Sequence, residues 1–562
     1  MTRVIRGTLL ALGLALLVPA QALANGGVCP RPPIGSDVQP PPDLYSENGK
    51  IEVSLNYFTS VDDDGRTLFC FVTADNKLSP TFHVNPGDQL LIHLTNMLPQ
   101  APLGRSEVTA NDTNVCGNAT MTDTSVNMHF HGLNVSPRCH GDETIRTLVN
   151  SGETFDYNLH IPPDEPPGLY WYHPHIHGIS SIAVQGGSTG VIEVEGIQNI
   201  QPAVAGLPQR FLVLRDEPLI GNLNGESHWK PVPNWDVSVN FVTVPFPKYP
   251  PSIIKMHSGQ REFWRVANAA ANTIMDLRVK YDGVEQPLLI TGFDGVPTGS
   301  QNGTRQGTVV TETGVLLPPA SRVEFMLDPP PPGVNAVFET EDIVEGGPAA
   351  DSNPTRVLSQ IVLDDAPLHL PRVPKVNGAP NKQRFERLAD IPPTAKRVLY
   401  FSEIPSIDPP GQKALQKLKH NIAEPVKFYI TVDGAFLQLY DPNNPPAITT
   451  NRGAVEEWKI ENRSPEVHEF HMHQIHFLVQ EISGQKIPKE QQQFYDTFQV
   501  PYFTGKGRYP YIKVKMDFRG AVTGDFVYHC HILDHEDGGM MAIIRVLPKG
   551  QSADKVDKKQ AS

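Results

Sequence analysis

At 562 residues the chain is too long for one compact core, and 39% hydrophobic with 19% charged residues is ordinary for a folded protein. A net charge of −14 with no clustered basic stretch argues against nucleic acid or an anionic membrane surface as partner and favours a small substrate. With 54 Pro and 45 Gly, many short strands joined by turns are expected, hence an all-β chain.

Residues 1–24 read as an export signal: Arg3 and Arg6, an apolar run from Leu9 to Val18, then Ala22-Leu23-Ala24 as a small-residue cleavage site. The run is shorter than the ~20 residues of a spanning helix and no later segment qualifies, so a secreted or periplasmic protein without a membrane span is expected. In an oxidising compartment Cys29, Cys70, Cys116 and Cys139 read as two disulfides, with three pairings open. Cys530 stands apart between two histidines, a candidate for chemistry.

Three segments share one pattern: Gly87 to Asn96, Gly259 to Asn268 and Gly453 to Asn462 each begin with Gly, alternate apolar and polar residues, and end on Asn. Their near-regular spacing implies three related β-sandwiches. Composition places the first at 25–197 and the second at 205–370. A Pro-rich, charged linker at 371–396 follows, then the third sandwich at 397–548 and a polar, disordered tail at 549–562.

Twenty histidines placed at random would give roughly one His-x-His pair. Five are present: His129/His131, His173/His175, His175/His177, His471/His473 and His529/His531. Residues two apart on a strand face the same side, so each pair can offer two imidazoles to one point. The segment from Gly168 to His175 parallels the segment from Gly524 to His531, with Pro174 in the place of Cys530. If the first and third sandwiches are facing duplicates, eight imidazoles converge between them and suit about three copper ions. A second kind of site lies in the last cluster, because one thiolate, two imidazoles and a weak thioether make a blue-copper electron-transfer site. Cys530, His535 and Met540 supply three of these and His468 can supply the other.

The segments HFHG, WYHPH, HEFHMH and HCHILDHEDGGMM resemble the four copper signatures of the multicopper oxidases, across most of the chain beyond the signal. The resemblance implies three cupredoxin-like Greek-key β-sandwiches and four copper ions. By that likeness His468, Cys530, His535 and axial Met540 hold type 1, and His129 and His471 hold type 2. The type 3 pair is implied to take His131, His173 and His529 on one ion and His175, His473 and His531 on the other. The implied reaction takes single electrons from a donor and reduces dioxygen to water, which also consumes protons. Glu536 matches the acidic relay of bacterial members. Where many members carry Asp this chain has His140, so either Asp142 or His140 is expected to serve the type 2 site. His177 and His476 are expected to pack beside the ligands. A phenolic, laccase-like donor is the leading expectation. The alternatives are a cuprous or ferrous ion, with Glu466, Glu469 and Asp537 available near the type 1 ligands, and an exported copper carrier.

Overall fold

The computed structural model describes residues 27–100, 116–219, 232–302, 307–346, 351–365, 384–405 and 426–551. The expected signal, residues 371–383 of the expected linker and residues 552–562 of the expected tail lie outside this set.

The three Gly-to-Asn segments form the strands Gln89–Asn96, Glu262–Asn268 and Val455–Asn462. Each runs parallel to an earlier strand, Lys50–Val61, Gln209–Pro218 or Ala395–Pro405, and antiparallel to a later one, Thr154–His160, Arg322–Leu327 or Tyr511–Asp517. The terminal asparagines explain the shared ending. Asn96, Asn268 and Asn462 are fully buried. Each donates through Nδ2 to two backbone carbonyls of following segments and accepts through Oδ1 from the amide two residues on. A buried amide side chain so satisfied closes the corner where the chain leaves one sheet for the other.

Each of these strands belongs to one sheet of a sandwich. In the first, a sheet of four strands faces a sheet of five that contains His129–His131 and Gly168–His173 as neighbours. In the last, a sheet of seven faces a sheet of five in which His468–Met472 and Gly524–Cys530 are neighbours. The middle sandwich has sheets of eight and six strands. A separate apolar core fills each, around Tyr157 and Phe82, around Trp264 and Phe338, and around Trp458 and Phe470. The protein is thus all-β, with three cupredoxin-like Greek-key sandwiches. No helix among the described residues is long and apolar enough to cross a membrane.

The disulfides pair Cys29 with Cys70 and Cys116 with Cys139, leaving Cys530 as the free, buried thiol. Part of the stretch read as a linker is packed. Phe385 and Leu388 are buried with Val296, Val455, Leu478 and Phe494, and Ala389 and Ile391 pack against them; burying these apolar side chains docks the segment. The strand Ala395–Pro405 also begins within that stretch.

Candidate metal centres

The copper-motif histidines sit on duplicated pairs of antiparallel neighbours. In the first sandwich His173 lies opposite His129 across an antiparallel ladder, and in the last His529 lies opposite His471. The two strand pairs face each other, so rings from one sandwich stack on rings from the other: His129 on His473 at 3.8 Å between centroids and His131 on His471 at 4.0 Å. All eight rings are buried.

Seven ring nitrogens in this cluster have no hydrogen-bond partner: His129 Nε2, His131 Nδ1, His173 Nε2, His471 Nε2, His473 Nδ1 and both nitrogens of His531. A single buried, unsatisfied polar atom costs about 1–3 kcal/mol, so the inward-facing members of this set call for cations at the centre of the cluster. Seven of the rings are also held neutral. Burial drives His131, His173, His175, His471, His473 and His531 well below the ordinary histidine value, and neighbouring imidazoles push the same way. His529 falls to about 3, again through burial. Neutral imidazoles keep the lone pairs a metal needs.

The grouping of the rings corrects one expectation. His529 Nε2 lies 3.3 Å from His175 Nε2 and 3.2 Å from His473 Nε2, so His529 joins His175 and His473. His531 instead has its ring 5.0 Å from His131 and 5.5 Å from His173. His529 and His531 therefore exchange places relative to the sequence-based assignment. The reason is the duplication: His131, His173 and His175 correspond to His473, His529 and His531. Two facing copies map the trio His131, His173, His531 onto His473, His529, His175, and only the exchanged grouping has that symmetry.

Cys530 continues the same strand and turns the other way, into the last sandwich. Its Sγ lies 3.6 Å from His468 Nδ1 and 3.7 Å from His535 Nδ1, which are 3.1 Å apart, and Met540 is buried beside them. Burial alone would raise the thiol, but hydrogen bonds and charge from His468 and His535 bring it down to about 6. The Glu469 amide points at Sγ from 3.4 Å. The outer edges of both imidazoles meet carboxylates: His468 Nε2 lies 2.7 Å from Ser464 Oγ and 3.1 Å from Glu403, and His535 Nε2 lies 3.6 Å from Glu466. Phe428 stacks on the His535 ring at 4.2 Å.

Of the two candidates beside His129, Asp142 makes the contact. It is buried, accepts from His129 Nδ1 at 2.9 Å and from the Phe130 amide at 3.0 Å, and pairs with Gln474. His140 is exposed, stacks on Phe155 and bonds the Asp156 carbonyl through Nδ1. Two residues of offset change which side chain reaches inward. Glu536 is fully buried, with Oε2 at 3.6 Å from His529 Nδ1 and 3.9 Å from His175 Nε2, and with Ser180 Oγ at 3.4 Å from Oε1. Burial, then the Asp537 charge, pushes its carboxyl well above the usual range. His177 packs edge-on against Tyr440, and His476 donates through Nε2 to the Asp294 carbonyl, so both stand beside the clusters. Sequence reasoning missed Asp496, which contacts His131 with its carboxylate and His471 with its carbonyl. It also missed Glu403 and Gln474. None lies in a repeated motif, so no spacing signal marks them.

A cupredoxin-like fold with a thiolate–imidazole site beside a cluster of eight buried imidazoles defines a copper-binding redox protein. Two sequence models of the multicopper oxidases match residues 105–198 and 409–550. The multicopper oxidase mco of Staphylococcus haemolyticus is 22% identical over 511 residues, covering 90% of this chain and 88% of its own. Among solved structures, a multicopper oxidase from Campylobacter jejuni described as a metallo-oxidase superposes with a TM-score of 0.63 at 21% identity, covering 92% of this chain and 96% of that one. A laccase-like multicopper oxidase from Ochrobactrum sp. gives 0.59 at 19% identity, covering 91% and 100%. By these matches the chain is similar to the multicopper oxidases. It is a copper-dependent oxidoreductase with dioxygen as acceptor.

Proposed function

We propose that the chain holds four copper ions: type 1 on His468, Cys530, His535 and axial Met540; type 2 on His129 and His471; and a type 3 pair. One type 3 ion takes His131, His173 and His531, and the other takes His175, His473 and His529. The unpartnered ring nitrogens that face the centre of the cluster carry this reading. When bound, copper supplies one-electron oxidation of a donor at type 1 and four-electron reduction of dioxygen to water at the cluster. Cys530 sits between His529 and His531 in the chain, so a few covalent bonds join the two sites. Asp142 and Glu536 stand where protons must be held for the cluster, one at His129 and the other between His529 and His175. A narrow cavity of about 50 Å³, lined mainly by apolar groups such as Met121, Ile145, Tyr440 and Met541, reaches His175 and suits a small apolar gas.

For the donor, the carboxylates support a metal cation, cuprous or ferrous, ahead of the phenol expected from sequence. Glu403 and Glu466 cap both type 1 imidazole edges. Close by, Glu345 is pushed up to about 8 by burial, by the Asp351 charge and then by Glu466. A carboxyl held back from ionising by burial, with other carboxylates beside it, gains most from a cation. A phenol remains the second reading, because a carboxylate at the imidazole edge can equally take a phenolic proton, and the Ochrobactrum protein is described as active towards lignin model compounds. The test is oxygen uptake by copper-loaded protein with ferrous ion, cuprous ion and a phenol in parallel, repeated with Glu466→Gln. Metal ions should drive the faster uptake and lose roughly tenfold in the variant. Faster phenol turnover, with metal-ion uptake indifferent to Glu466, would overturn the cation reading. The chain is further expected to work after export, and its two disulfides are compatible with that.

A further inference from the structure

The middle sandwich holds none of the copper-motif histidines, yet one of its side chains reaches their support. Arg322, on the strand Arg322–Leu327, is fully buried and grips Asp496 with both arms, Nη1 to Oδ1 at 2.8 Å and Nη2 to Oδ2 at 2.6 Å. Two more of its N–H groups donate to the carbonyls of Leu169 and Ala320. A second residue of the middle sandwich, Asp294, accepts the backbone amides of Arg322, Asp496 and Thr497. Asp496 in turn faces His131 Nε2 from 3.0 Å, and its carbonyl accepts from His471 Nδ1 at 2.8 Å.

The duplication supplies an internal control. His131 and His473 occupy equivalent positions, but His473 turns Nε2 into the cluster, 3.2 Å from His529 Nε2. His131 is reversed, with Nε2 outward on Asp496 and Nδ1 inward and unpartnered. At His129, His173 and His471 the outward nitrogen is likewise Nδ1, held by Asp142, the Pro174 carbonyl and the Asp496 carbonyl. His131 departs from these because a carboxylate waits on its Nε2 side. The glycine of the first motif makes room for it. A Cβ on Gly132 would lie 2.5 Å from Arg322 Nη2 and 2.6 Å from Asp496 Oδ2, at a backbone φ of +87°.

Resting on the copper assignment above, we infer that Arg322 is a positioning residue for the trinuclear site: by fixing Asp496 it fixes which nitrogen His131 presents to metal. Both Asp496 oxygens accept from the guanidinium and the carboxylate faces the outward nitrogen of His131, so Asp496 acts as the support of a ligand. Loss of the guanidinium leaves two buried carboxylates, Asp294 and Asp496, without their shared counter-charge. Asp496 then has no fixed orientation, and His131 is free to turn over.

The test compares wild type, Arg322→Gln, Arg322→Lys and Asp496→Asn as full-length, copper-loaded protein, reading copper content, electron paramagnetic resonance, type 1 absorption and oxygen uptake. In Arg322→Gln the type 1 absorption and its anaerobic reduction by donor should match wild type. A new resonance from uncoupled type 3 copper or a loss of cluster copper should appear, with oxygen uptake falling about 10–100-fold. Arg322→Lys, which keeps the charge without the fork, should recover part of the signal. If Arg322→Gln only lowers the melting temperature and leaves copper content, resonance and uptake unchanged, the pair is an interdomain bolt and the inference fails. If Arg322→Gln does not accumulate, Asp496→Asn decides by the same readouts, since it keeps the volume and removes the charge. A wild type that binds no copper would fail the copper assignment itself, a different result from either.

Discussion

The first and last sandwiches run the same strand through the same turn, and four side chains separate what they do. The strand Gly168–His173 leads into Pro174 and His175, and the strand Gly524–Cys530 ends on its cysteine before His531. Carrying that register on, Ile179 and Val184 stand where the last sandwich has His535 and Met540. In the first motif Val126 stands where the last sandwich has His468. Val126 and Val184 are buried in the apolar interior. The duplicated scaffold thus makes half of a shared cluster twice, and a thiolate site only where four soft or imidazole ligands replace four apolar ones.

The largest expected effect comes from breaking that difference. Cys530→Ser should abolish the visible absorption of the type 1 site and bring oxygen uptake to background with every donor, while cluster copper stays bound. The reverse change, Pro174→Cys, should create no second blue centre, because Val126, Ile179 and Val184 supply no ligands; a second charge-transfer band would show the comparison to be wrong. Next comes the support of His129. Asp142→Asn should cut oxygen uptake about 10–100-fold with anaerobic type 1 reduction unchanged, and His140→Ala should leave the rate and its pH profile as they were.

Smaller effects concern stability in the first sandwich, which carries both disulfides among the described residues. Replacing Cys116 and Cys139 together by Ala should cost about 2–4 kcal/mol in denaturant unfolding. The smallest involves His83. Burial opposes its charge, but Asp43, Glu193 and Glu195 outweigh that and raise it to about 11. The unfolded chain holds that proton only up to about pH 6.5. The stabilisation is therefore complete below about pH 6.5 and drains away as pH climbs towards 11. His83→Gln should flatten the melting temperature over that window; an unchanged slope would remove His83 from the account.

What was legible in the sequence follows from period and repetition. Alternation on strands made the ligand pairs visible, and the repeated Gly-to-Asn frame marked one central strand in each of three sandwiches. The division of the type 3 histidines was not legible, since it depends on how two copies face each other, and His529 and His531 are identical as letters. The disulfide pairing needed the strand Thr67–Thr73 to bring Cys70 to Cys29. Arg322 and Asp496 were invisible because each is a lone charge in a different sandwich, and only tertiary contact makes them a pair. The same limit explains the choice between Asp142 and His140: the turn through His140, at φ +66°, carries Asp142 inward.

The buried asparagine that closes the corner of each sandwich has a consequence for how such chains are traced. It is present in the middle sandwich, which has none of the metal motifs, so this stitch is kept by the demands of the backbone and is indifferent to chemistry. Ancestry within the chain is written in its stitching more durably than in its ligands. A search for further descendants of this unit should therefore follow the glycine-to-asparagine frame, and would find silent copies that a histidine pattern passes over.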